Sequence, residues 1–280
     1  MNPRLRTGIA GLATLLAALA IAACGEDESD EQLPFTDAAN SPDVQAIWGE
    51  YACAKASRIG YESEGGVDDG PFRRFTVIDG DDVDGERCEL GRNDQEDSPT
   101  AVYGEGDRRI TRLAVRLPKD FPLDTKDFQV VMQMKQTQPA ANGDGTPALS
   151  LEAREGHWVL LRSTSVDESS ETEELWSAPA EKGVWTRFEF DVTYSQDPEK
   201  GSVKVTADLD GDGEFEEESE VIPTYTLKRE TEGNKEDELD PGDSIPSHLR
   251  IGLYHNPKIP CPAPKGCYVD IDEVEIVEPS

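Results

Sequence analysis

Three short stretches carry acidic, amide and cationic side chains at alternate positions. Glu86-Arg87-Cys88-Glu89-Leu90-Gly91-Arg92 puts Arg87 and Glu89 on one face of an extended chain and Cys88 and Leu90 on the other. Phe128 to Gln136 sets Gln129, Val131, Gln133 and Lys135 against Phe128, Val130, Met132 and Met134. His248 to Asn256 sets His248, Arg250, Gly252, Tyr254 and Asn256 against Leu249, Ile251 and Leu253. Successive side chains of a strand point to opposite faces. Each stretch therefore has an apolar face for a core and a polar face too costly to bury without partners. If the three strands are neighbours, one face carries Arg87, Glu89, Gln133, Lys135, Arg250 and Tyr254, a net cationic set. Glu89, Arg92, Arg250, His248 and Asn256 are its candidate binding residues.

Such a set suits one kind of bond breaking. A uronic acid has a carboxylate beside C5–H, and β-elimination there needs three groups. A cation or amide must neutralise the carboxylate, a base must take the C5 proton, and an acid must protonate the departing glycosidic oxygen. Arg87, Gln133 and Arg250 fit the first role. Lys135 or Tyr254 fits the second, and Tyr254 the third. The same arginines and Glu89 would also make ordinary cross-strand ion pairs. Hydrolysis by paired carboxylates is poorly served, since this face offers only Glu89 clearly.

Together the three segments resemble the jelly-roll polysaccharide lyases, the heparin lyase I family most closely, with glucuronan and alginate lyases more distantly. Arg87-Cys88-Glu89-Leu90 matches the Arg-x-Glu-Leu strand of those families. Gln133-Met134-Lys135 matches their Gln-x-His strand in part, and His248 to Tyr254 matches their Tyr-x-Lys-x-Gly-x-Tyr strand in part. The order agrees, and the resemblance spans roughly residues 50–278. It implies an all-β, concanavalin-like jelly-roll β-sandwich with few short helices. It also implies cleavage of an acidic polysaccharide by β-elimination with no required cofactor. Three positions depart: Lys135 stands for the usual His, Arg250 for Lys and His248 for the first Tyr. The first of these falls on a residue that such enzymes use in catalysis, so a carbohydrate-binding protein that kept the groove and lost the chemistry is the alternative.

The elements that must hold these residues read as strand after strand. Arg73–Ile78, Ile110–Leu117, Ala148–Ala153, His157–Arg162, Thr186–Tyr194, Val203–Leu209 and Tyr268–Val277 are short, mostly alternating runs separated by Gly, Pro, Asn and Asp. That spacing points to a sandwich or jelly roll. Short helices fit only around 42–55 or 118–127. Residues 46–280 show no repeat or linker and read as one domain, most simply a monomer. Trp176, Trp185 and His157 read as packing or surface residues.

Composition and termini set the compartment. The 280 residues carry 59 Asp+Glu against 27 Lys+Arg, a net charge of −32, which argues against nucleic acid as a partner. Arg4 and Arg6 precede an apolar run from Ile9 to Ala23, too short for a comfortable transmembrane span. Its end, Ala22-Ala23-Cys24-Gly25, resembles the lipobox of bacterial lipoproteins. Residues 1–23 are expected to be a signal peptide and Cys24 the lipidated residue of a membrane-anchored, extracytoplasmic protein. Residues 24–45 are expected to form an acidic flexible tether. Four cysteines remain, and an exported chain keeps disulfides. The stiff Pro-rich loop between Cys261 and Cys267 suits a local bridge, leaving Cys53–Cys88 as the long one. Spacing alone does not separate the three pairings. Finally, Asp208, Asp210 and Asp212 with Gly213 have the 1, 3, 5, 6 spacing of a loop that bends around Ca²⁺, here between strands and with Ser219 where position 12 would carry Glu; a calcium ion held there would be structural, and a plain Gly/Asp turn is the alternative.

Overall fold

In the computed structural model the described residues are 35–37, 39, 44–91, 102–137, 145–167, 169–232 and 239–279. Cys24, the expected signal peptide and Arg92 lie outside them. The strands run in chain order as β1 (Phe35–Asp37), β2 (Glu50–Cys53), β3 (Ile59–Glu62), β4 (Phe72–Val77), β5 (Arg87–Gly91), β6 (Val102–Tyr103) and β7 (Arg108–Arg116). They continue as β8 (Gln129–Gln136), β9 (Leu149–Arg154), β10 (His157–Ser163), β11 (Thr172–Pro179), β12 (Trp185–Thr193) and β13 (Ser202–Asp208). Four short strands follow: β14 (Glu217–Glu218), β15 (Ile222–Pro223), β16 (Lys228–Arg229) and β17 (Ser244–Ile245). The last two are β18 (Ser247–His255) and β19 (Cys267–Val277). One helix, α1 (Gln45–Trp48), and two 3-10 turns complete the described elements.

The strands form two large antiparallel sheets, and β16 and β17 pair with each other in a small third one. One has the order β14-β13-β12-β7-β19-β4-β3, with β1 also on β19 and β15 on β13. The other has the order β11-β10-β9-β8-β18-β5-β2, with β6 also on β18. Alternation sends Leu113, Val115, Phe188, Phe190, Val269 and Ile271 from the first sheet, and Leu90, Met132, Met134, Leu151, Leu249 and Ile251 from the second, into one shared core. Trp158 meets Phe188 edge-on across it, with ring centroids 5.2 Å apart. This is the expected jelly-roll sandwich, and the expected bridges Cys53–Cys88 and Cys261–Cys267 are both formed.

The two outer faces differ. On the nine-stranded sheet the arginines are matched to acids on neighbouring strands. Arg112 reaches Glu189 and Glu275, each at 2.7 Å, and Arg74 and Arg116 share Asp270. Partly exposed pairs of this kind contribute only about 0.2–1 kcal/mol each, but they leave this face locally balanced. The outer face of the eight-stranded sheet instead carries the candidate site.

Within residues 24–45, expected to form a tether, Phe35–Asp37 is instead a strand. Phe35–Asp37 pairs with β19. Asp37, buried, accepts hydrogen bonds from Arg73 Nε at 2.7 Å, Arg73 Nη2 at 2.8 Å and Trp48 Nε1 at 2.5 Å. A buried carboxylate held by a guanidinium and an indole fixes the segment to the sheet, whatever the polarity of its surroundings.

Candidate active site

The three polar stretches are neighbours: β18 lies between β8 and β5. Register then decides what stands beside what. Lys135 is opposite His248, Gln133 is opposite Arg250, Glu89 is opposite Gly252 and Arg87 is opposite Tyr254. Gly252 has φ of 144°, and a Cβ there would sit 2.2 Å from the Cys88 carbonyl oxygen. Only glycine permits β5 and β18 to approach so closely at this point.

The polar groups on this face bond in small sets. Gln133 Nε2 donates to Glu89 Oε1 at 2.6 Å, and Arg87 Nη1 lies 3.4 Å from Glu89 Oε2. The Arg87 guanidinium lies over the Tyr254 ring, 3.9 Å from its centroid. Arg250 Nε donates to His248 Nε2 at 3.1 Å, and Lys135 Nζ donates to the Gly145 carbonyl at 2.6 Å. A guanidinium only donates, so His248 Nε2 is the acceptor in this contact. Glu89, Gln133, Lys135, Arg87, Arg250 and His248 are all buried, and Tyr254 is partly exposed. Asn256 lies past the strand end, where its Oδ1 accepts from the Lys258 amide in a turn.

Two features differ from simple alternation. The pairing of β8 slips by one residue against both neighbours, between Val130 and Met132 on the β9 side and between Ile251 and Tyr254 on the β18 side. Val131 therefore enters the core beside Met132. Val130 comes level with Tyr254, and Phe128 packs against the Tyr254 ring at 5.0 Å. The expected faces of Phe128, Val130 and Val131 are thus exchanged, as a β-bulge requires. Second, Lys135 and Tyr254 are not adjacent. His248 and Tyr254 are six residues apart on one strand, roughly 20 Å at strand rise, and Lys135 pairs with the former. The pairing of Lys135 and Tyr254 as base and acid across one glycosidic bond does not survive this register; His248 is the group beside Lys135.

One residue of this face was not singled out by the sequence. Glu152 on β9 pairs with Val130, so it shares the row of Tyr254 and Arg87. It is 5% exposed, and burial pushes its carboxyl up to about 7, opposed by the charge of Arg154. The alternation of Ser150 and Glu152 against Leu149, Leu151 and Ala153 was the available signal.

Away from this face, Asp208, Asp210, Asp212 and Glu216 bring one carboxylate oxygen each within 4.8 Å of the others, a set that fits a structural Ca²⁺. Glu216 occupies position 9 of the loop and joins the three expected ligands. Asp208 also faces Arg187 Nη1 at 2.9 Å, which partly offsets its charge. A cavity of about 560 Å³ on the nine-stranded sheet is lined by Arg112, Arg187, Glu189, Glu275 and Phe215 among others. Its arginines are held by carboxylates, so it offers less for an acidic ligand than the opposite face. Among the described residues no helix is long and apolar enough to cross a membrane.

Comparison with known proteins agrees with this architecture. The fold is similar to that of an endo-β-1,4-glucuronan lyase from the fungus Trichoderma reesei, at TM-score 0.52 and 16% identity over 79% of this chain and 87% of that one. It is also similar to a GH131 β-glucanase catalytic domain from Podospora anserina, at TM-score 0.56 and 11% identity over 89% and 97%. At such identities the likeness concerns the fold. A search of curated proteins finds no match. The polysaccharide lyase family model matches residues 42–274, most of the chain, and the chain belongs to that family.

Proposed function

We propose that this chain cleaves a uronate-containing polysaccharide by β-elimination on the outer face of the eight-stranded sheet. The observation that carries the reading is the register placing Lys135 beside His248 and Gln133 beside Arg250. Arg250 and Gln133 neutralise the uronate carboxylate, which makes the C5 proton acidic. When the Arg250 guanidinium turns to that carboxylate, His248 Nε2 is released to take the C5 proton. The electrons form the C4=C5 double bond and expel the glycosidic oxygen at C4. Lys135, already donating through Nζ to a carbonyl, gives that oxygen its proton. Arg87, Glu89 and Tyr254 bind the glycan further along the same face. The resemblance to heparin lyase I supports a sulfated or unsulfated uronate polymer as substrate. The sequence at Cys24 supports action outside the cytoplasm from a lipid anchor.

Purified protein incubated with heparin, glucuronan, alginate and pectate is expected to yield the unsaturated product, followed by its ultraviolet absorbance. His248→Ala and Lys135→Ala should each lower kcat by about 10²-fold or more, the usual scale for general acid–base groups. Tyr254→Phe should act mainly on KM. Absence of product on every acidic glycan, with binding retained, would establish the second reading. That reading is a carbohydrate-binding envelope protein on the same fold, and the burial of Lys135 and His248 favours it.

A further inference from the structure

Glu152 stands apart from the reaction just described, yet it occupies the same face. From Gln133 it is one strand over and two residues along, a separation of roughly 8 Å by strand geometry. Its cross-strand neighbours Val130 and Val159 are apolar and buried, and so is Leu161, two residues along from Val159. Its Oε2 accepts no hydrogen bond among the described residues, and Arg154 Nη1 lies 3.5 Å from it. A buried carboxyl oxygen without a hydrogen bond is costly. Such a group is retained most simply where a ligand completes its bonding.

We propose that Glu152 is a specificity-determining residue of a second uronate subsite, where its neutral carboxyl donates a hydrogen bond to the carboxylate of the sugar next to the one that reacts. The inference rests on the lyase reading and extends it. Arg154 on the same strand is the cation facing Glu152. From β8 it meets Val130, with Tyr254 beyond on β18. From β10 it meets Val159, with His157 opposite Arg154. Of the neighbours on the flanking strands, Val130 and Val159 do not titrate. Burial holds the proton on Glu152 up to about pH 7. Below that pH the acid donates to the uronate. Above it two carboxylates face each other and repel.

The test is calorimetric titration of the full chain with a uronate trisaccharide and with its carboxyl-reduced, neutral counterpart, at pH 5.5 and pH 8.5. For the wild type, Kd for the uronate trisaccharide should rise about tenfold between the two pH values, while the neutral sugar shows no such change. Glu152→Gln keeps a neutral donor and should bind at both pH values about as the wild type does at pH 5.5. Glu152→Ala should bind weakly at both. A wild-type Kd that does not change with pH, or a Glu152→Gln variant that follows the wild-type pH dependence, would overturn the subsite while leaving the lyase reading intact. If the wild type binds no uronate sugar at either pH, the lyase reading fails and the subsite with it. Melting curves of each variant separate lost binding from lost folding.

Discussion

At the scale of single residues, Glu152 couples the site to stability. Its carboxyl ordinarily titrates near 4.5 and is raised to about 7 by burial. The folded state thus holds the proton more tightly than the unfolded one. Below about pH 4.5 both states are protonated and Glu152 contributes no pH-dependent loss. As pH rises from 4.5 to 7 the unfolded chain ionises first, and stability falls through that window. Above pH 7 the full loss remains, on the order of 3 kcal/mol by linkage. Glu152→Gln removes the titration. Urea unfolding should find the variant more stable than the wild type at pH 8, by up to about that amount, and equal to it near pH 4. A variant no more stable at pH 8 would show that Glu152 ionises freely in the folded protein.

At the scale of elements, how much could be read in advance depended on whether alternation was interrupted. In β7 and β12, Leu113, Val115, Phe188, Phe190 and Val192 fall into the core at every second place, and their order is plain in the sequence. The polar face of β18 is legible for the same reason. The slip in β8 is not, because Val130 and Val131 are both apolar and either can serve the core. Nor is cross-strand register legible, since it depends on turns and bulges distant from the residues it aligns. For that reason the sequence sets Lys135 with Tyr254 rather than with His248, and gives Glu152 no role. The strand β1 was hidden by its acidic surroundings, because the buried pairing of Asp37 with Arg73 leaves no local pattern. The disulfide Cys53–Cys88 bears on the site more directly. It joins β2 to β5 at a directly opposed pair, between Arg87 and Glu89 in sequence. Closing a loop of 35 residues should contribute roughly 3–4 kcal/mol in the chain-entropy model. Cys53→Ala/Cys88→Ala should lose about that much in denaturant unfolding while keeping its β-sheet circular dichroism. A loss below about 1 kcal/mol would mean that the β2–β5 ladder is held by packing alone.

At the scale of the whole molecule, the charge distribution opposes the proposed ligand. A chain of net charge −32 repels a polyanionic glycan at long range, whereas the cations that would receive it lie on one sheet face. The two effects differ in reach. Long-range repulsion is screened beyond a Debye length of about 10 Å at 0.1 M salt, while contacts between buried groups are screened much less. Added salt should therefore remove more of the repulsion than of the attraction. The association rate with an acidic oligosaccharide, measured by stopped flow, is expected to rise a few-fold from about 20 to 200 mM NaCl, on the screening lengths that apply. This is opposite to the trend of a basic protein binding a polyanion, whose association slows with salt. A rate that falls with salt would mean that the local field of Arg87, Arg250 and Lys135 dominates the approach. The acidic surface would then act on solubility alone.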